Sequence, residues 1–264
     1  MHKLKEFPWS AAAAWTVVLC VVISAAWFKF QTPVQSVFIE IEDLPYGKNL
    51  VDEKDIERQL MNDFKTNFVG WQISELEPSF IEESIQRNPF VRSAHVFLDA
   101  LNRLHIVIEQ REPALRVQDE NSMSFYIDTE GYRMPLSRHY TARVKVATGH
   151  IPRFRGSNLS HADSMYTALM DVSESISQDP FYEALVEQIY VDDDGLIYVA
   201  PKIGEQKILL GRARNIDEKL DKLRIFMKEG LAYEGWQVCE TIDLRFSEQI
   251  VCKKLNSKYS LKTQ

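Results

Sequence analysis

The sequence predicts an α+β protein: an N-terminal transmembrane helix, a small domain of three strands and two helices, and a second β-rich domain with flanking helices. Three observations carry this. Residues 9–28, WSAAAAWTVVLCVVISAAWF, hold no charge. At a rise of about 1.5 Å per residue such a run spans about 30 Å, the thickness of a bilayer's hydrocarbon core. Beyond it, period-two alternation of apolar residues marks strands, and spacing near 3.6 residues marks helices in between. The net charge is −7 over 264 residues, which argues against a nucleic-acid partner, since that would need a basic face.

In the apolar run, Trp9 stands at one end and Trp27 and Phe28 at the other, with Trp15 inside it. Aromatic rings favour the headgroup boundary. Lys3 and Lys5 make residues 1–8 a basic leader, expected to stay in the cytoplasm while the long remainder is exported. A cleaved signal peptide is the competing reading, because Ser24-Ala25-Ala26 offers small residues to a peptidase; it too exports the rest.

The first domain is expected over 34–110. Val37, Ile39 and Ile41 alternate with Phe38, Glu40 and Glu42 as a half-buried strand. Asp52 caps a helix through Ile56, Leu60, Met61 and Phe64. Pro78 opens a second helix with Phe80, Ile81 and Ile85 as its apolar face, and Asn88-Pro89 ends it. Residues 91–98 and 104–108 then form a hairpin around 99–102. Two helices would cover one face of the sheet and leave the other wet.

The second domain is expected over 111–255, with a polar, flexible tail at 256–264. Strands are read at 125–127 and 143–147, with a turn at Asp128 to Gly131. Ser160 is placed as the cap of a helix through Met165, Leu169, Val172 and Ile176, ended by Pro180. A hairpin at 185–201 turns at Asp192-Asp193-Asp194-Gly195, and a strand at 207–210 leads into a helix with Ile216, Leu220, Leu223 and Met227 on one face. The last hairpin runs over 236–246 and 250–255. With its turn at Ser247-Glu248, Cys239 faces Asn256 and Cys252 faces Asp243. That register argues against a cross-strand disulfide, although an exported compartment permits one.

The strand–helix–helix–strand–strand order, just inside an exported chain, resembles a POTRA domain. Ile106-x-Ile108-x-Gln110-Arg111-x-Pro113-Ala114 resembles the exit strand of the FtsQ/DivIB family of bacterial cell-division proteins, with Gln110 where the family usually has Glu. Tyr126-Ile127-Asp128-x-x-Gly131 is similar to the strand and turn that open that family's second domain; the Pro that usually precedes Gly149 is missing. Leu209-Leu210-Gly211-Arg212 and Ile242-Asp243-Leu244-Arg245-Phe246 are similar to its Leu-Gly-Arg strand end and its final strand.

The resemblance implies a non-enzymatic, membrane-anchored scaffold without a cofactor. It implies a single-pass protein of the inner membrane, its domains in the periplasm at the division septum. The implied partners are FtsB- and FtsL-like single-span coiled-coil proteins, and through them the septal peptidoglycan synthase complex. It maps the contact to Leu244, Arg245 and Phe246, with Val251 on the last strand. The final hairpin would leave main-chain groups free at a sheet edge, where a partner strand can add. The alternative is an anchored POTRA protein of outer-membrane assembly or secretion; an anchored cell-wall enzyme is a third reading.

Enzymatic chemistry finds little footing in the residues. Neither G-x-x-x-x-G-K-[ST] nor G-x-G-x-x-G occurs, and no G-x-S-x-G is present. His95 and His105 fall on neighbouring strands, but alternation places both on the wet face, without an evident third ligand. Asp192 to Asp194 reads as a solvated turn rather than a calcium loop, since consecutive residues point in different directions. Arg111, Arg212 and Arg245 are the better candidates for function.

Overall fold

The computed structural model describes residues 15–24, 31–45, 47–159, 164–230 and 239–254. The chain divides into two compact units, Met1–Gln110 and Arg111–Gln264.

In the first unit, residues 15–24 are helical (α1), and the apolar side chains from Trp15 to Ile23 are exposed. Among the described residues no helix is long and apolar enough to cross a membrane. Trp9, Trp27 and Phe28, and most of the flanks of the expected span, lie outside the described residues. The small domain holds β1 (Ser36–Ile41), α2 (Glu53–Phe64), α3 (Pro78–Gln86), β2 (Val91–Leu98) and β3 (Arg103–Gln110). The sheet order is β1-β3-β2, with β3 parallel to β1 and antiparallel to β2. Asp52 caps α2 by accepting the Asp55 N–H at 2.8 Å, and Pro78 sits at the start of α3.

Ile56, Leu60, Ile81 and Ile85 pack on Ala94, Val96, Leu104, Ile106 and Ile108. Two expected core residues do not join them. Met61 and Phe80 are exposed. Each lies about 140° round its helix from a buried residue five positions away, Ile56 or Ile85, because the turn advances about 100° per residue. Buried Ser84 takes the inward position on α3, donating to Asp63 at 2.6 Å. On the outer sheet face, His105 stacks between Phe38 and Phe97, with ring centroids 5.3 and 5.2 Å away.

Gln110 closes the first unit and explains its own departure from the family pattern. Its buried amide donates to the Glu42 carbonyl at 2.9 Å and to Asn49 Oδ1 at 2.8 Å, while its oxygen accepts the Leu50 N–H at 2.8 Å. Only an amide offers both donors and an acceptor here; a carboxylate would present acceptors alone to that carbonyl.

The second unit is built on a nine-stranded sheet. Its strands are β4 (Pro113–Gln118), β5 (Ser124–Asp128), β6 (Arg133–Met134), β7 (Lys145–Gly149), β8 (Val186–Val191), β9 (Ile197–Pro201), β10 (Lys207–Gly211), β11 (Cys239–Asp243) and β12 (Val251–Lys254). The order is β12-β11-β10-β9-β8-β7-β4-β5-β6. Parallel pairs at β4/β7, β7/β8 and β10/β11 require crossovers. The last two are spanned by α4 (Ser164–Gln178) with α5 (Pro180–Leu185), and by α6 (Ile216–Ile225), which runs on into a π turn at Phe226–Gly230. Leu169, Val172 and Ile176 of α4 and Leu220 and Leu223 of α6 join Leu115, Val117, Ala147, Ile189, Val199, Ile208 and Ile242 in one core.

Several sequence expectations are refined here. Residues 113–118 form a full strand rather than only an exit motif. Pro180 ends α4 but also begins α5, with Asp179 accepting the Phe181 N–H at 2.9 Å. The residue after Asp179 needs no N–H at a helix start, so proline serves both roles. The Asp128 turn forms as expected: Oδ1 accepts the Glu130 and Tyr132 N–H groups at 2.9 and 2.6 Å, and Gly131 has φ +83°.

Candidate functional site

The expected partner contact gathers at one end of the second unit, where β10, β11, β12 and α6 meet. β11 ends at Asp243, so Leu244, Arg245 and Phe246 lie beyond the strand rather than in it. The Leu244 N–H still donates to the Leu209 carbonyl at 2.9 Å, and its side chain is fully buried. The Leu244 side chain thus anchors the turn to the core, because the chain must leave the sheet over an apolar floor, and a partner would meet this residue through its main chain alone.

Arg245 faces outward in a fixed pose. Its Nε lies 3.0 and 3.1 Å from the two Asp243 oxygens and its Nη2 lies 2.7 Å from Oδ2. Burial pulls the Asp243 carboxyl upward, but the hydrogen bonds and charge of Arg245 outweigh this and hold it below its usual range. The stem of Arg245 crosses Gly211, where a Cβ would meet Arg245 Cγ at 2.7 Å. Phe246 is 44% and Val251 40% exposed.

Two lysines of α6 pin the surroundings. Lys222 Nζ donates to the Phe246 and Ser247 carbonyls at 2.9 and 3.0 Å. Lys219 Nζ donates to the Leu210 and Arg212 carbonyls at 2.8 and 3.0 Å. Burial, reinforced by the nearby Lys222 charge, pushes the Lys219 amine down. Arg212, Arg214 and Arg245 line the adjoining cavity of about 440 Å³, with Glu218 on its wall. The roles of Lys219, Lys222 and Gly211 were not read from the sequence. A lysine pair spaced i,i+3 on the helix after Leu-Gly-Arg was the available signal.

The cysteines correct the register expected of the last hairpin. Cys239 and Cys252 form a disulfide, with Cα atoms 5.3 Å apart. Cys252 pairs with Ile242, Asp243 with Val251, and an irregularity between Cys239 and Thr241 sets Cys239 opposite Lys254. A bulge of this kind bends the strand and brings together residues that a regular ladder would keep apart. The bond ties β12, four residues at the sheet edge, to β11.

Arg111, the other arginine singled out by sequence, has a structural place. It pairs with buried Asp128 at 2.9 Å and lies over the Tyr132 ring, 4.0 Å from its centroid. It braces the turn that opens the second unit.

Comparison with known proteins follows this division. Residues 33–109 match the family model for a POTRA-like domain. Residues 112–253, more than half of the chain, match the model described as FtsQ/DivIB, C-terminal related. The chain belongs to the FtsQ/DivIB family. Two similar proteins are each named cell division protein FtsQ. One, from Rhodothermus marinus, is 28% identical over 195 residues, covering 70% of this chain and 68% of that protein. The other, from Salinibacter ruber, is 27% identical over 193 residues, covering 70% and 72%. A POTRA-like domain followed by an FtsQ/DivIB-type β domain is thus the architecture of the chain.

Proposed function

We propose that this protein acts in bacterial cell division as a non-enzymatic scaffold, anchored by residues 9–28 in the inner membrane with its domains in the periplasm at the septum. Kinship with proteins named cell division protein FtsQ supports the division role. The exposed apolar faces of α1 support the anchor.

Recruitment runs through the β12 edge. The carrying observation is that, among the described residues, β12 has a strand neighbour on one side only, beside exposed Phe246 and Val251. A partner segment adds along the free main-chain groups, and the two apolar side chains give it register. Arg212, Arg214 and Arg245 around the neighbouring cavity favour an acidic segment. FtsB- and FtsL-like single-span coiled-coil proteins are the expected partners, acting in turn on the septal peptidoglycan synthase complex. An Arg beside an exposed aromatic is a composition favoured at interface hot spots. The POTRA-like match at 33–109 is common to this reading and to the outer-membrane-assembly alternative, and the FtsQ/DivIB-related match at 112–253 favours the division reading.

The test is co-purification of the full-length chain from its own cells' membranes, beside Phe246→Glu. Small coiled-coil membrane proteins are expected with the wild type and absent with the variant. Equal recovery with both would displace the contact from Phe246, and no such protein with either would overturn the scaffold reading.

A further inference from the structure

A second cavity, of about 730 Å³, lies in the second unit away from the β12 edge, and Arg133, Arg153 and Arg155 line it. Among the described residues none of the three has a carboxylate partner, in a protein of net charge −7. Glu120 also lines the cavity and is exposed. Among the described lining residues, three guanidiniums against one carboxylate leave a net charge of plus two, which suits a phosphate dianion better than a single carboxylate.

The cavity is built rather than incidental. Buried Phe154 plugs the segment into the core, edge-on to Phe125 and Tyr166, so that its neighbours Arg153 and Arg155 turn outward together. The segment is tied along its length. The Glu120 N–H donates to the Ile151 carbonyl at 2.9 Å, the Tyr166 hydroxyl to the Pro152 carbonyl, and the Arg133 N–H to the Ser157 carbonyl at 2.9 Å. Arg133 itself is laid over the Phe125 ring, its Cζ 4.6 Å from the centroid. A planar guanidinium held in place, as that of Arg133 is, binds phosphate oxygens in pairs and loses little freedom in doing so, and the exposed Arg153 and Arg155 can close on the same group.

We infer that this cavity is a binding site for a phosphate group, carried either by a small soluble molecule or by a lipid headgroup. It stands apart from the partner edge and does not rest on the division reading.

The experiment titrates pyrophosphate into the full-length chain in a zwitterionic detergent, read by calorimetry at about 0.15 M salt, where non-specific charge attraction is screened. Saturable binding with Kd below about 1 mM is expected, weakened at least about tenfold in R153Q/R155Q, whose wild-type positions are exposed. R212Q/R214Q, in the other basic cavity, should bind as the wild type does. Absence of saturable binding, equal binding by R153Q/R155Q, or equal loss in R212Q/R214Q overturns the site. Protection of Arg153 and Arg155 from phenylglyoxal by pyrophosphate, mapped by mass spectrometry on the wild type, needs no variant; no protection also overturns it. Dibutyryl phosphatidic acid run beside pyrophosphate assigns the source. Tighter binding of the lipid analogue points to a headgroup, and tighter binding of pyrophosphate to a soluble phosphate; both outcomes uphold the arginine site.

Discussion

Arg245 rests on the bare backbone of Gly211: a Cβ on that glycine would lie 2.7 Å from Arg245 Cγ and 3.0 Å from Cδ. Two motifs far apart in sequence, Leu-Leu-Gly-Arg and Asp-Leu-Arg-Phe, are thus halves of one contact. Gly211 also has φ +76°, a conformation costly for any residue with a Cβ. Gly211→Ala is expected to lose about 1–3 kcal/mol of stability and to displace Arg245. Denaturant unfolding checks the first. Loss of partner recovery in a variant still folded at the assay temperature checks the second.

The Cys239–Cys252 bond closes a loop with a sequence separation of 13 residues. A loop of that size should contribute about 3 kcal/mol by restricting the unfolded chain. Cys239→Ser with Cys252→Ser should lower stability by up to that amount. Because β12 is a short edge strand, the loss should appear first as faster amide exchange over Val251–Lys254, with the β7–β9 amides little changed. Equal acceleration throughout the sheet would contradict this.

Gln110→Glu tests why the chain departs from the family's usual Glu. The substitution removes two donated hydrogen bonds and sets a carboxylate against the Glu42 carbonyl and Asn49 Oδ1. A cost of about 2–3 kcal/mol is expected at neutral pH. The cost should shrink on acidification, as the new carboxyl takes up a proton and regains one donor. Thermal unfolding across pH reads both.

Asp99 predicts an acid limit for the first unit. Its Oδ1 accepts the Arg103 N–H at 3.0 Å and the Leu101 N–H at 2.8 Å, and Arg103 Nε lies 2.6 Å from Oδ2. The Arg103 N–H is the largest influence, outweighing burial, and the carboxyl is held well below its usual range. Lowered in the folded state, the group stabilises the fold above about pH 4, the usual aspartate value, and the contribution is lost as pH falls toward the depressed folded value. Asp99→Asn should flatten that acid dependence. An unchanged slope in the variant would assign the acid limit elsewhere.

The sequence by itself determined most of the elements, though not β4, β6 or α5. Alternation placed Val37, Ile39, Ala94, Val96, Leu104 and Ile106 on one face, Asp52 and Pro78 marked helix starts, and Asp128 and Gly131 marked a turn. Each of these is set by neighbours within a few residues, whose backbone preferences and periodicity act locally. The order of motifs was enough to point to the FtsQ/DivIB family. Only the tertiary structure decided what depends on distant segments meeting: the parallel β10/β11 pairing, the irregular register that joins Cys239 to Cys252, the burial of Leu244, and the Lys222 amine of α6 that holds the Phe246 turn. The convergence of Arg133 with Arg153 and Arg155 is of the same kind. Long-range register is fixed by core packing and crossovers between remote residues, and a local pattern along the chain carries no record of which strand lies beside which.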